Sequence, residues 1–354
     1  MADIYITYGT DLAAITHELM GEAGVAARLR ADTRVAIKPN LVVARPADDG
    51  ATTHPQIVEG ILRFVRDAGV RDITILEGSW LGEGTQRAFS ACGYTALAER
   101  YGARLLDTKR DKTVACKSHG LDLEICESAL RAEFLINVPV LKGHCQTSMT
   151  CCLKNLKGCI PDREKRRFHT LGLHRPIAAL AAALRPALHI VDGVCGDLTF
   201  EEGGNPVQAG RVLLGRDPVL LDSYGAHLMG YQPEEIDYIP LAARCGAGQL
   251  YSPATTVHEL HAQERPPLTA PRSSLAKDLA RYTQPDSACS ACYAALIFAL
   301  HKSGYRGPRV AIGQGYRGKA APLPGVGQCT ALCARHLPGC PPKASDIVRF
   351  LTEE

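Results

Sequence analysis

The sequence predicts an α/β fold, a mostly parallel sheet with helices on both faces, followed by a small cysteine-rich C-terminal unit. Three observations predict it. Short β-branched runs alternate with amphipathic segments of helix length, polar groups gather where those runs end, and cysteines concentrate in the last part of the chain. At 354 residues and 46% hydrophobic content the chain can bury a sizeable core. The reading divides it into an α/β domain over 1–270 and a second unit over 271–354.

Taken in order, Thr33 to Leu41, TRVAIKPNL, reads as a buried strand ending in Lys38-Pro39-Asn40. His54-Pro55 opens a helix in which Ile57, Val58, Ile61, Leu62 and Val65 recur at helical spacing, and Gly69 stops it. DITILEG is a second strand, ending in Glu77-Gly78-Ser79; a helix through Leu97 to Tyr101 and a strand at ARLLD complete a βαβαβ pattern. Such a pattern implies a parallel sheet covered on both faces, whose ligands sit beyond the carboxyl ends of the strands. Lys38, Asn40, His54 and Glu77 all lie at or just after strand ends. Each alone suits a turn or a solvated loop; together they read as one rim of a crevice. EFLINVPV, residues 133–140, is the next strand and delivers the segment after it to the same edge. An Ala-rich helix follows Leu171, then LHIVDGV is a strand, and RVLLGRDPVLLDSYGAHLMG gives a strand, a turn and a helix. Asp217 and Asp222 read there as turn and capping residues. From Leu250 to Pro271 no period is sustained, so this stretch reads as a linker or surface arm with a second unit after it.

Val138 to His169, VPVLKGHCQTSMTCCLKNLKGCIPDREKRRFH, is presented by the elements around it. Between Lys142 and Arg175 the cations Lys142, Lys154, Lys157, Arg163, Lys165, Arg166, Arg167 and Arg175 face only Asp162 and Glu164. The whole chain has a net charge of only +3, so this excess is local: it attracts a small anion, and nothing in the bulk charge calls for nucleic acid. Thiols, amines, an amide and imidazoles in one Gly-punctuated segment make a poor core and a good pocket wall. Lys142, His144, Lys154, His169, Cys151 and Cys159 are the candidate catalytic residues, and Lys38, Asn40, His54, Asn155 and Lys157 the candidate substrate-binding ones. No Walker loop is present, and GEGTQRAFSACG lacks the spacing and position of a dinucleotide loop.

The first residues, MADIYITYGTDLAAI, carry no basic region followed by an apolar one, and the longest apolar run, Ile177 to Leu184, is too short to span a bilayer. The expected location is cytoplasmic, without a membrane, and the 14 cysteines are then reduced thiols or metal ligands. The strongest chemical signal among them is C-terminal: Cys289-Ser-Ala-Cys292 heads the helix YAALIFALHKSG, and Cys329, Cys333 and Cys340 follow in VGQCTALCARHLPGCPP. Two thiolates on one helical turn with others from a distant loop build a tetrahedral zinc site or a cubane. The Gly-Cys-Pro-Pro ending favours a 4Fe-4S cluster, because a Pro after a ligating Cys shields the cluster and removes a backbone donor. Cys289, Cys292, Cys329 and Cys340 are the expected ligands, with Cys333 as the alternate, which makes the C-terminal segment an iron-sulfur cluster-binding unit. Cys92, Cys116, Cys126, Cys195 and Cys245, scattered through apolar stretches, read as packing thiols.

With these motifs in view the chain resembles the domain of unknown function 362 family, whose members are described as uncharacterised Fe-S centre proteins. VAIKPNL, TTHPQIVEGILRFVRDAG, ITILEGS, NVPVLKGH, LKNLKGCIPDREKRRFH, IVDGV, GRDPVLLDSYGAHLMG and the CSAC and GCPP cysteines carry the resemblance. It implies an α/β domain with a C-terminal cluster and a redox role, and names no substrate. This chain departs from many members in Cys145, Cys151, Cys152 and Cys159, for which a second metal centre, a reactive thiol near Lys154 and Lys157, and plain packing all fit. The leading expectation is an iron-sulfur oxidoreductase that passes electrons to an anionic substrate or second centre in the basic crevice, with His144 or His169 moving the proton. The alternatives are a non-redox enzyme acting on a carboxylate or phosphate with a structural cluster, and an electron or metal carrier for a redox partner protein.

Overall fold

A computed structural model describes residues 3–267 and 275–353, so the boundary expected at 270/271 lies outside the described residues. In chain order the strands are β1 (Asp3–Tyr8), β2 (Val35–Pro39), β3 (Ile73–Glu77), β4 (Arg104–Asp107), a hairpin of β5 (Thr113–Ser118) and β6 (Leu121–Cys126), and β7 (Phe134–Val138). A short pair follows, β8 (Lys142–His144) and β9 (Ser148–Thr150), then the long β10 (Leu188–Asp197) and β11 (Pro206–Gly215), and β12 (Thr256–Leu260). The C-terminal unit holds β13 (Thr283–Pro285), β14 (Val310–Ile312), β15 (Ala321–Val326) and β16 (Cys333–Leu337).

The main sheet has the order β12-β1-β11-β10-β7-β2-β3-β4. Its β10-β7-β2-β3-β4 part is wholly parallel, β11 runs antiparallel to β1 and β10, and β12 lies parallel to β1. The fold is therefore the expected α/β class with a mostly parallel sheet. β2 and β7 are buried along their whole length, as strands roofed by helices on both faces must be. Neighbouring residues on one strand point to opposite layers: Ile136 joins the core beneath the helices Leu12–Glu22 and Pro55–Asp67, while Leu135 joins that beneath His174–Leu184 and Pro218–Leu228. The helix Pro55–Asp67 buries Ile57, Val58, Ile61, Leu62 and Val65, the face its periodicity predicts. A Cβ on Gly60 would stand 2.4 Å from the Ala13 carbonyl, so this glycine lets the two helices touch backbone to backbone.

The stretch expected to be a linker contributes β12, whose Thr256 to Leu260 pair with Asp3 to Thr7. Its side chains stay mostly outside the core. A short edge strand of this kind needs no apolar alternation and gives no periodic signal.

In the C-terminal unit β13-β14-β15-β16 form a second, parallel sheet. The helices Ser290–Ser303 and Ala344–Thr352 cover it, burying Leu296, Ile297, Leu300 and Ile347 with Val310, Ile312 and Val326. Phe200, on the loop between β10 and β11, is buried in this same core and meets the Phe298 ring edge-on at 5.9 Å. The unit is thereby docked on the main domain. Among the described residues no helix is long and apolar enough to cross a membrane.

Candidate functional site

Beyond the carboxyl ends of β2 and β3 a crevice opens, the place where sheets of this type hold ligands. Lys38 and Asn40 line it from the end of β2, Glu77 and Gly78 from the end of β3, and Val42, Trp80 and Leu81 from the loops that follow. Lys154, Asn155, Lys157 and Gly158 come from the turn-and-helix run after β9, Lys165 and His169 from the helix Asp162–Thr170, and Ser290 and Ala291 from the C-terminal unit.

Most of the charge in the wall is paired. The Lys38 ammonium donates to both Glu77 oxygens at 3.0 Å, and those oxygens also accept the Leu41 and Gly78 N-H groups at 2.8 and 2.7 Å. Asn155 accepts from Lys38 at 3.3 Å and donates to Asn137 Oδ1 at 2.8 Å, so the floor of the crevice is one hydrogen-bonded network. Lys154 donates to Glu201 Oε1 at 2.6 Å and to Thr150 Oγ1 at 3.1 Å. His144 Nδ1 accepts the backbone N-H groups of Gln146 and Thr147, both at 3.1 Å, which leaves its proton on Nε2, 3.0 Å from Glu201 Oε2. Burial, and then Lys154, push the His144 imidazole down to about 4, so it is a neutral donor. Burial alone would raise the Glu201 carboxyl, but Lys154 and His144 together hold it well below the usual carboxylate range. Lys142 does not line the crevice; it lies behind the wall, donating to Asn40 Oδ1 at 3.4 Å and to the carbonyls of Ala51 and, at 2.8 Å, Glu201, and burial pushes its amine down to about 8.

Two titratable side chains in the wall carry an unpaired donor among the described residues. The half-buried Lys157 has no hydrogen-bond or ion-pair partner among the described residues. Burial, with Lys154 next, pushes its amine down to about 7. His169 Nε2 accepts the Ser290 N-H at 3.4 Å, so Nδ1 carries the proton, and this buried Nδ1 has no partner. Burial and the Lys157 charge hold that imidazole well below its ordinary value.

Cys289, Cys292, Cys329 and Cys340 line a neighbouring pocket together with Arg166 and Arg317. Cys289 caps the amino end of the helix Ser290–Ser303, Cys292 sits on its first turn, and Cys329 lies in the short turn Gln328–Thr330. Cys333 starts β16 and is buried against Gly325, outside this pocket. Among the described residues no three of these sulfurs lie within 4.8 Å of one another. Burial, and then the other thiols, push Cys289 up to about 11 and Cys292 up to about 12, a cost that a bound cationic centre removes. Arg317 Nε donates to Cys329 Sγ at 3.3 Å. Four thiols lining one pocket are the kind of donor set that an iron-sulfur centre would take.

The two pockets share their dividing wall. On the helix Asp162–Thr170, Lys165 and His169 face the crevice while Arg166 faces the cysteines. At the start of the helix Ser290–Ser303, Ser290 and Ala291 face the crevice while Cys289 and Cys292 face the other pocket.

The structure thus brings Lys38, Asn40, Lys154, Asn155, Lys157 and His169 together, and does not bring Lys142, His144 or His54 into the wall. His54 instead pairs its Nδ1 with Asp192 at 2.8 Å. The four central cysteines are also dispersed, because the chain between them turns through β9 and two short helical segments. Cys151 and Cys152 meet Asp222, whose carboxylate accepts the Cys152 and Leu153 N-H groups at 2.7 and 3.3 Å. Cys159 is buried near Lys38 and Glu77, its thiol pushed up to about 12 by burial. Cys145 packs toward the C-terminal core. The four do not gather at one point among the described residues, but Cys151 and Cys152 with Asp222 bring three potential ligand atoms within 4.8 Å of one another. Sequence reasoning missed Glu201, Trp80, Arg166, Arg317 and Ser290 as wall residues.

Over residues 35–227 the chain matches the family described as Domain of unknown function (DUF362), and it belongs to that family. The matched segment contains most of the crevice and ends before the C-terminal cysteines. The thylakoid-associated protein sll1697 of Synechocystis sp. is 25% identical over 268 residues, 71% of this chain and 81% of that protein. Among solved structures, the lactate racemase apoprotein of Thermoanaerobacterium thermosaccharolyticum is 14% identical with a TM-score of 0.41, covering 66% of this chain and 57% of that one. A Thermotoga maritima protein is 11% identical with a TM-score of 0.38, covering 67% of this chain and 60% of its own. The chain spans less than two thirds of either solved protein.

Proposed function

We infer that this protein is an iron-sulfur oxidoreductase acting on a small anionic substrate held in the crevice. Cys289, Cys292, Cys329 and Cys340 would hold a 4Fe-4S cluster, which when bound supplies single-electron transfer. The observation that carries the reading is the shared wall: Ser290, between the cysteine pair, gives its N-H to His169 of the crevice, so substrate and cysteine ligands would be separated by one turn of helix. Lys157 and the His169 Nδ1-H are unpaired donors of the wall among the described residues and bind the anion. Lys154 stays pinned by Glu201, so its charge biases the crevice without leaving its place. With its amine pushed down to about 7, Lys157 is suited to give or take a proton near neutral pH.

Spectroscopy of the anaerobically purified, reduced protein tests this reading. Addition of a small carboxylate or inorganic phosphate should alter the electron paramagnetic resonance signal of wild type. The same addition should do nothing in Lys157→Ala or His169→Ala, with iron content unchanged in both. Were no anion to perturb the signal at any concentration, the crevice would not serve the cluster, and a carrier role for a partner protein would replace this one.

A further inference from the structure

The crevice has two unlike sides, and their chemistry narrows the ligand beyond its charge. On one side Val42, Trp80 and Leu81 form an apolar wall; the Trp80 N-H donates to the Val42 carbonyl at 3.1 Å and ties the two strand-end loops into one surface. Trp80 is the only tryptophan of the chain and is partly exposed at this wall. On the other side stand the unpaired Lys157, the buried and partnerless His169 Nδ1-H, and the amino end of the 14-residue helix Ser290–Ser303. The Ala291 N-H there has no acceptor among the described residues. A helix start with free N-H groups favours a carboxylate, and an indole face favours a flat apolar body beside it.

We propose that the crevice takes an aromatic carboxylate, its ring laid against Trp80, Val42 and Leu81 and its carboxylate received by Lys157, His169 and the Ala291 N-H. This rests on the reading of the crevice as an anion site and names the substrate class for it. A purely charged anion such as phosphate leaves the Trp80 wall in contact with water; an uncharged aromatic leaves the His169 Nδ1-H and Lys157 without an acceptor. An apolar pocket with a few convergent polar groups selects a ligand that satisfies both sides.

The single tryptophan makes the test direct, because Trp80 emission in the full-length, anaerobically purified protein reports contact at this wall. Benzoate, acetate and benzyl alcohol are titrated as probes. Benzoate should shift the emission saturably and bind at least about tenfold more tightly than either of the others, since each lacks one half of the recognition. Lys157→Ala should weaken benzoate by about tenfold or more, with an unchanged circular dichroism spectrum showing that it folds. Trp80→Phe, followed by calorimetry, should retain benzoate binding, because phenylalanine keeps the apolar face. Acetate binding as tightly as benzoate would overturn the substrate class and leave the anion site standing. Benzyl alcohol matching benzoate would overturn it from the other side. Absence of any binding by emission and by calorimetry would remove the anion site itself.

Discussion

Replacing Glu201 by Gln keeps the shape of the side chain and removes the charge that organises one side of the crevice. Glu201 accepts from Lys154 at 2.6 Å and from His144 Nε2 at 3.0 Å, and Lys154 is only 4% exposed. Without the carboxylate charge, the Lys154 ammonium keeps only neutral acceptors, Thr150 Oγ1 and the amide oxygen, and stays out of water. Breaking a buried pair on one side costs about 3–5 kcal/mol, more than the pair itself contributes, because an uncompensated charge is left behind. At about 2 °C per kcal/mol for a chain of this size, thermal unfolding should fall by roughly 6–10 °C. The assay is thermal and guanidinium unfolding of wild type, Glu201→Gln, Lys154→Met and the double variant. Because Lys154→Met removes the stranded charge, the double variant should recover at least about half of the loss. A Glu201→Gln protein within about 1 kcal/mol of wild type, or a double variant no more stable than the single one, would refute the idea that this pair is desolvated and coupled.

Cys333→Ser should keep the brown chromophore of anaerobically purified protein and Cys340→Ser should lose it; equal loss of iron in the two would contradict the ligand assignment. Gly158→Ala should destabilise the fold by about 1–3 kcal/mol through overpacking, because its Cβ would stand 2.1 Å from Glu77 Oε1 and 2.5 Å from Lys38 Nζ; denaturant unfolding measures it. His189, fully buried, is pushed from an ordinary 6.5 down to about 3 by burial, and His144 from 6.5 down to about 4. Both folded-state values lie below the unfolded ones, so the unfolded chain binds more protons between them, and stability should be full above about pH 6.5 and fall as pH drops toward 3–4. Unfolding midpoints at a series of pH values should show this slope, and His189→Asn should flatten it.

The fold was legible where burial forces a pattern. β2, β3 and β7 are sealed between helices, and their β-branched runs announce them; the helix Pro55–Asp67 shows the same clarity because one face is buried and the other is not. β12 was illegible because an edge strand held by backbone pairing makes no demand on its side chains. In the site, chemistry concentrated in one segment was readable, but side-chain direction was not. Lys142 and Lys154 look alike in sequence, yet one lies sealed against carbonyls and the other on the crevice wall, because Gly143 and the loop after β10 decide how β8 lies. Glu201 had no signal at all: it acts through a fold contact with residues 47 and 57 positions away. The adjacency of the cysteines to the crevice rests on long-range contacts, Phe200 in the C-terminal core and the bonds of Ser290 to His169 and of Gln314 to Arg166, which no local pattern encodes.

Iron and acid-labile sulfide analysis of the anaerobically purified protein, with the spectrum of its reduced form, tests the central claim most directly. The account predicts about four iron and about four sulfide per chain, with a signal lost in Cys289→Ser. Stoichiometric zinc without sulfide, or full iron content retained in Cys289→Ser, would contradict it.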